Sequence, residues 1–423
     1  MTVKSLYPTV LPSLNLDFAN SRKLDPRITF TRASTGTFVN ENGLVATAAS
    51  GAARFDHDPV TGKCLGLLVE EARTNNASSS EAFTDTGGGT GGWTADATTA
   101  PDGAFTADLW IPVSGFVDRN TARLSDNING TSSVLTASVF VKKKELRYAH
   151  IALLSSATYY TRLFDLDTGE FVKEFTYGSP TQTSSTVTSL TNGWYRISVS
   201  KYVSNTETTA RLQIGSTNVS NPSHPYGQVS YVADGISGMY FWGAQLETGP
   251  FPTSYIPTVG STVTRAADVA SITGTNFSSW YRQDEGTLFN DFISRGRGPS
   301  NVAYPSVISA SGNTSNWFGG AISGGGTASV QAYAYVASNS VAWQPFGSVF
   351  SNATKIKMAL SGESANMAFV TNGGTPLTNS TQLMPINPNQ MSLSTFEING
   401  TIARLTYYPA RLPDAQLQAL TAT

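Results

Sequence analysis

Between Leu109 and Ile256 the chain alternates apolar and polar residues in short runs: TASVFVKK, YAHIALL, TYYTRLFDL, EFVKEF, GWYRISVSK, TARLQIG and MYFWGAQLE. Turn signals such as Asp167-Thr168-Gly169 and Asn192-Gly193 separate them. A period of two, broken by such turns at regular spacing, predicts an antiparallel sandwich. Pro250, Pro252 and Pro257 then interrupt the pattern, which restarts after Val269 with GTLFNDFIS, YPSVISAS, WFGGAIS, ASVQAYAYV, KIKMALSG, NMAFVTNG and GTIARLTYYP. This predicts a second strand-rich unit of about 150 residues, an ordinary domain size. Ahead of both units lie a Pro-punctuated stretch and the short strand candidate LNLDFA. Alternation over Ile28, Phe30 and Arg32 follows, with turns at Asn42-Gly43, Asp58-Pro59 and Thr61-Gly62, and an apolar run from Leu65 to Val69. Residues 78–106, rich in Ser, Thr and Gly around GGGTGGW, are expected to form a flexible loop pinned by Trp93. One helix is expected, in PDAQLQALT, where Leu417 and Leu420 share a face and Pro413 stands at the start. The expected fold is therefore all-β: two antiparallel β-sandwich domains in series, an extended N-terminal arm and a short C-terminal helix. The boundaries are 1–80 for the arm, 81–258 for the first sandwich and 259–423 for the second.

Composition supports this and excludes several classes of function. Only 13% of the 423 residues are charged, well below the ~25% of an average soluble domain, so Ser, Thr, Asn and Gly must carry solubility. The 21 Phe, 17 Tyr and 7 Trp are far more than a disordered chain holds. A net charge of −2 without a basic tract argues against nucleic acid as the main partner. Pro8 and Pro12 interrupt any signal-peptide core, no run is long enough for a transmembrane helix, and Cys64 alone makes no internal disulfide. The chain reads as one made in a cytoplasm and not inserted in a membrane.

Catalytic chemistry finds little purchase. No G-x-S-x-G elbow is present, and His57, His150 and His224 lie in separate segments. The close carboxylate pairs are Asp56/Asp58, Glu70/Glu71, Asp165/Asp167 and Asp284/Glu285. Those at Asp56/Asp58 and Asp165/Asp167 sit in turns, where Asp bonds nearby backbone N–H groups, so turn support is the simpler reading than glycoside hydrolysis. Asp165-x-Asp167-x-Gly169 lacks the downstream Glu of a calcium loop; no cofactor is expected, a structural calcium being the single candidate. Zinc has no clustered Cys and His to bind.

Sugar binding needs aromatic faces ringed by polar side chains. In GWYRISVSK, Tyr195, Ile197 and Val199 form one face and Trp194, Arg196 and Ser198 the other. In RYAHIALL, Ile151 and Leu153 point inward, leaving Tyr148 and His150 outward, and in TYYTRLF, Tyr160, Arg162 and Phe164 share a face. The candidate glycan platform is therefore Tyr148, His150, Tyr160, Arg162 and Arg196. Its members equally suit plain sheet cover, since Tyr and Arg bury apolar stems.

Three stretches carry a family resemblance. FTRASTGTFVNENGLV followed by FDHDPVTGKCLGLLVEEARTN resembles the N-terminal portion of phage head-spike and head-fibre proteins. FWGAQLETGPFPTSYIPTVGSTVTRAADVASITG resembles the junction that such proteins place between two modules. WYRQDEGTLFNDF, with IARLTYYPARLPDAQLQALT, resembles the first and last strands of a concanavalin A-like (laminin G or pentraxin-type) jelly roll. The central unit resembles carbohydrate-binding modules of jelly-roll type in pattern. The resemblance implies a structural virion protein, a head spike or fibre or a tail fibre. It would be displayed on the particle, bound to other capsid or tail proteins and oligomeric, as a homotrimer. Its implied outer partner is host-surface polysaccharide. The alternatives are a purely structural fibre or cement protein and, as a minority view, a polysaccharide-degrading enzyme. The family brings no shared catalytic motif, and the β-helix repeats of glycan-cleaving spikes are missing from this sequence.

Overall fold

A computed structural model describes residues 7–83, 91–117, 122–128, 132–207, 209–224, 228–295, 302–310, 317–323, 329–336, 339–342, 355–381, 383–393 and 398–422. The fold is all-β, with antiparallel strand pairs, two short helices and a C-terminal helix at Asp414–Thr421. Leu417 of that helix is buried and Leu420 packs beside it, on the face their spacing predicts.

The first sandwich pairs a five-stranded sheet with a six-stranded one. The former runs Ala122–Ile128, Ala210–Thr217, Tyr148–Ser155, Tyr159–Asp165, Glu170–Tyr177. The latter runs Ser184–Ser189, Trp194–Val203, Ser133–Lys143, Met239–Thr248, Ala107–Pro112, Gly91–Thr98. Their facing side chains, among them Val139, Val141, Ile151, Leu153, Ile197, Val199 and Phe241, fill one core. The turns fall where the sequence puts them: Gly169 (φ 71°), Asn192 (φ 58°) and Gly193 (φ 76°) supply left-handed backbone between consecutive strands. The expected Trp93 loop differs. Residues 84–90 lie outside the described residues, but Gly91–Thr98 is the edge strand of the six-stranded sheet. Trp93 stacks on Phe83 with ring centroids 4.9 Å apart, so its aromatic contacts outweigh the low strand propensity of the glycines.

The second sandwich holds two eight-stranded sheets, and here the expected order of domains along the chain is not the order in space. The N-terminal residues expected to form an arm supply strands to both sheets. Leu14–Asp17 and Cys64–Val69 lie end to end along Gly400–Tyr408, with Leu14 opposite Tyr407 and Gly400 opposite Val69. Thr29–Thr31 pairs with Val269–Thr273 in the other sheet. The reason is burial: Leu14, Leu16, Phe18, Ile28, Leu67 and Val69 join Leu288, Phe292, Ile402 and Leu405 in one core. Gly66 permits the close pairing: its φ is +116°, and a Cβ there would stand 2.0 Å from the Ile402 carbonyl oxygen.

The Pro-rich connector is no loose tether either. Phe251, Thr253, Ser254, Tyr255 and Ile256 are buried, and Val263–Arg265 pairs with Arg73–Asn75.

Candidate functional site

The five residues of the expected glycan platform do not come together. Tyr160 is fully buried in the first core, and its hydroxyl accepts from Arg162 Nε at 2.7 Å. Arg162 then pairs with Glu174 at 3.0 Å and lies 3.9 Å from the Phe171 ring centroid. Tyr148 and His150 are on the opposite face of the same sheet, as the alternation requires. That face is not open: Leu163, Phe175 and Val229 form a cluster against Tyr148, and His150 is buried. His224 stacks on Phe175 at 4.6 Å, part of the segment that folds back over the sheet. Arg196 belongs to the other sheet, facing away from the first core. Alternation sorted the faces, but which sheet each strand joined, and what covered it, came from contacts distant in the chain.

Where the outer face of Arg196's sheet meets the N-terminal strands, a buried ionic joint forms. Asp268 pairs with Arg32 (3.0 Å) and Arg54 (2.5 Å), and Glu70 with Arg54 (2.8 Å) and Arg265 (3.1 Å). Ser254 donates its N–H (2.7 Å) and hydroxyl (2.6 Å) to Glu70, and Asp268 accepts the Glu70 N–H at 2.9 Å. Surplus guanidinium N–H groups donate to the carbonyls of Ser34, Thr37, Ala49 and Glu71. Burial drives the Glu70 carboxyl up, but Arg265 and Arg54 with the Ser254 hydroxyl outweigh it and hold it well below the usual range. The joint uses the first two resembling stretches: Arg32 and Glu70 come from one, with Arg54 just ahead of its second segment, and Ser254, Arg265 and Asp268 from the other. Nothing in residue spacing revealed it. The one signal was a set of Arg, Asp and Glu inside otherwise apolar, strand-forming segments.

Beside the joint opens a cleft of about 490 Å³ between the two sandwiches. Phe38, Val39 and Val45 from the N-terminal strands, Phe140 and Val187 from the first sandwich, and Phe251 and Tyr255 from the connector make its apolar walls. Its polar groups are Arg196, Arg295, Asp56, His57 and the hydroxyls of Thr186 and Thr188. Arg295 pairs with Asp56, which also accepts the Val39 N–H at 2.7 Å. Asp58 is occupied by its own turn, accepting from Val60 (3.1 Å) and Thr61 (2.8 Å), the role expected of it. Such a mix of aromatic wall and a few placed polar groups suits a small organic ligand. Of the five platform residues, only Arg196 lines it.

Other reactive groups are closed off. Lys201 Nζ donates to Ser155 Oγ at 2.6 Å, a nucleophile-and-base pairing in outline, but both are buried and Ser155 donates to Glu207. His57, His150 and His224 remain apart, in separate strands and a loop. Asp165 accepts from the Asp167 N–H (2.9 Å) and pairs with Arg147, the turn role its position predicts. Among the described residues, no three His, Cys, Asp or Glu are placed to share a metal ion.

No family model and no curated protein matches the chain. Among solved structures, the CBM40 domain of the Ruminococcus gnavus IT-sialidase is 16% identical over 35% of this chain and 88% of that one, with a TM-score of 0.29. A heptameric SAP-like pentraxin from Limulus polyphemus is 14% identical over 32% of this chain and 68% of its own, TM-score 0.25. Trypanosoma rangeli sialidase is 10% identical over 64% and 51%, TM-score 0.28. The chain is thus distantly similar in structure to a carbohydrate-binding module, a pentraxin and a sialidase, all at TM-scores too low to assign it to any of them.

Proposed function

We propose that this chain is a non-enzymatic structural protein of a tailed-phage virion, a head spike or fibre or a tail fibre, that decorates the particle and binds host-surface glycan. The observation that carries the reading is the joint. The first two stretches that resemble phage spike proteins, far apart in sequence, meet there, and buried ion pairs fasten the N-terminal strands to the connector between the sandwiches. A stiff two-sandwich body suits a protein held on a particle while it touches a cell. The cleft beside the joint is the glycan site we assign, in place of the outward sheet face. A non-enzymatic role is supported by the carboxylates themselves: Asp56, Glu70 and Asp268 are each committed to arginine and none stands as a spare acid beside another.

Assembly as a homotrimer on the virion, against capsid or tail proteins, is supported by Tyr7, Val10 and Leu11, apolar residues left exposed near the N-terminus. Leu14, a few residues further on, is by contrast a core residue, and Leu6 lies outside the described residues. A purely structural role is favoured by the same joint, which needs no ligand to explain it. Two experiments separate the readings. Antibody labelling of intact particles locates the protein, and competition by purified protein against phage adsorption tests recognition. Adsorption unaffected at saturating protein leaves only the structural role.

A further inference from the structure

The cleft's charge arrangement says what kind of glycan it suits. Arg196 is held against the Phe140 ring, its guanidinium carbon 5.2 Å from the centroid. Nη1 donates to the Thr253 carbonyl at 2.7 Å and Nη2 to Ser138 Oγ at 3.0 Å. These partners are neutral. Among the described residues no carboxylate lies within ion-pairing distance of it, and its Nε has no hydrogen-bond partner. Burial lowers its pKa to about 10, against the attraction of Glu247, so at neutral pH it remains a cation. Arg295 lines the same cleft with its side chain about a third exposed, and it pairs with Asp56. Asp56 is committed to Arg295 and the Val39 N–H, and Asp58 to its turn, so neither pairs with Arg196. A desolvated cation without a direct ion-pair partner gains more from an arriving anion than an exposed one would.

A second group points to hydroxyls. His57 Nδ1 is 3.0 Å from the Val39 carbonyl oxygen, which can only accept, so Nδ1 carries the proton. Nε2 is then an acceptor, buried and without a partner, on a residue that lines the cleft. Thr188, an exposed residue, adds a hydroxyl at the rim, and Thr186 another that is shared with Ser198 Oγ at 2.6 Å. An anion alone would leave these groups and the aromatic wall unused.

We infer that the cleft binds a saccharide bearing a carboxylate, its acid group on Arg196 with Arg295 beside it and its ring against the aromatic wall. This rests on the glycan-binding reading above and goes beyond it by naming the sugar class. The ligand is an acidic sugar of uronate or sialate type; neutral hexose polymers fill the wall but leave Arg196 without a direct ion-pair partner.

The test uses the full chain on a printed array of uronate-bearing, sialate-bearing and neutral oligosaccharides. The strongest acidic binder is then titrated beside its carboxyl-reduced form, identical except that the acid has become an alcohol. The expected result is binding confined to acidic sugars, with reduction weakening affinity by about tenfold or more. Arg196→Gln should lose as much, and Arg196→Lys should retain part of the binding because it keeps the charge. Melting temperatures of both variants show whether the fold survives. If Arg196→Gln does not fold, the native and reduced sugars on the wild-type protein still decide the matter. Equal affinity for the two forms, or binding to neutral sugars alone, overturns the inference and leaves the glycan reading standing. Binding to no saccharide on the array overturns both.

Discussion

Replacing Asp268 by Asn tests the joint where it is most concentrated. The side chain accepts from Arg32, Arg54 and the Glu70 N–H, and it is fully buried. Asn keeps the shape and one acceptor but removes the charge, leaving three buried arginines to share Glu70. Removing one partner from a buried ion pair costs about 3–5 kcal/mol, because the remaining charge stays desolvated. Units of 150–250 residues lose roughly 2–4 °C of melting temperature per kcal/mol, so the variant should melt about 6–20 °C below wild type. Differential scanning calorimetry measures this directly. Because Asp268 joins the N-terminal strands to the connector, the second sandwich should account for the loss. The first sandwich, whose core is separate, should keep its own transition. A variant that melts within 2 °C of wild type, roughly 1 kcal/mol at most, would refute the claim that the ionic joint holds the N-terminal strands to the connector.

Other tests follow from the same structure. The Glu70 carboxyl is depressed in the folded state, so its contribution is complete above the ordinary glutamate value of 4.5 and is lost as pH falls below it. Wild-type stability should therefore drop on acidification below that value, and a Glu70→Gln protein, already destabilised at neutral pH, should show a shallower drop in an acid titration followed by circular dichroism. Tyr160→Ala should destabilise by about 3–5 kcal/mol in denaturant titrations, as for any large aromatic lost from a core, whereas Tyr148→Ala, half-exposed, should cost far less. A fragment of residues 266–423 should remain unfolded by circular dichroism, since it lacks the strands that carry Leu14, Leu16, Leu67 and Val69. A cooperative melt of that fragment alone would show those strands to be dispensable.

Much of this was written locally in the chain. Alternation over Val139, Ile151, Ile197 and their neighbours, with Gly and Asn at the turns, determined the strands and which side of each faces inward. A side chain's face depends only on its parity along its own strand. The C-terminal helix was equally local, set by Pro413 and the spacing of Leu417 and Leu420. What the sequence could not supply was pairing between distant strands. Leu14 meets Tyr407 because burial takes both out of water, and Arg54 meets Asp268 because a charge buried there needs its opposite beside it. No short window encodes such a partner. The glycan platform failed for that reason: Tyr148 stands on an outward face that distant segments cover, and Tyr160 on the face that the other sheet turns into core. Arg196 joins a cleft only because Phe38, Tyr255 and Arg295, each from a different part of the chain, close around it. Local patterning fixes the direction of a side chain, and only the assembled sheets decide whether it meets core, neighbour or solvent.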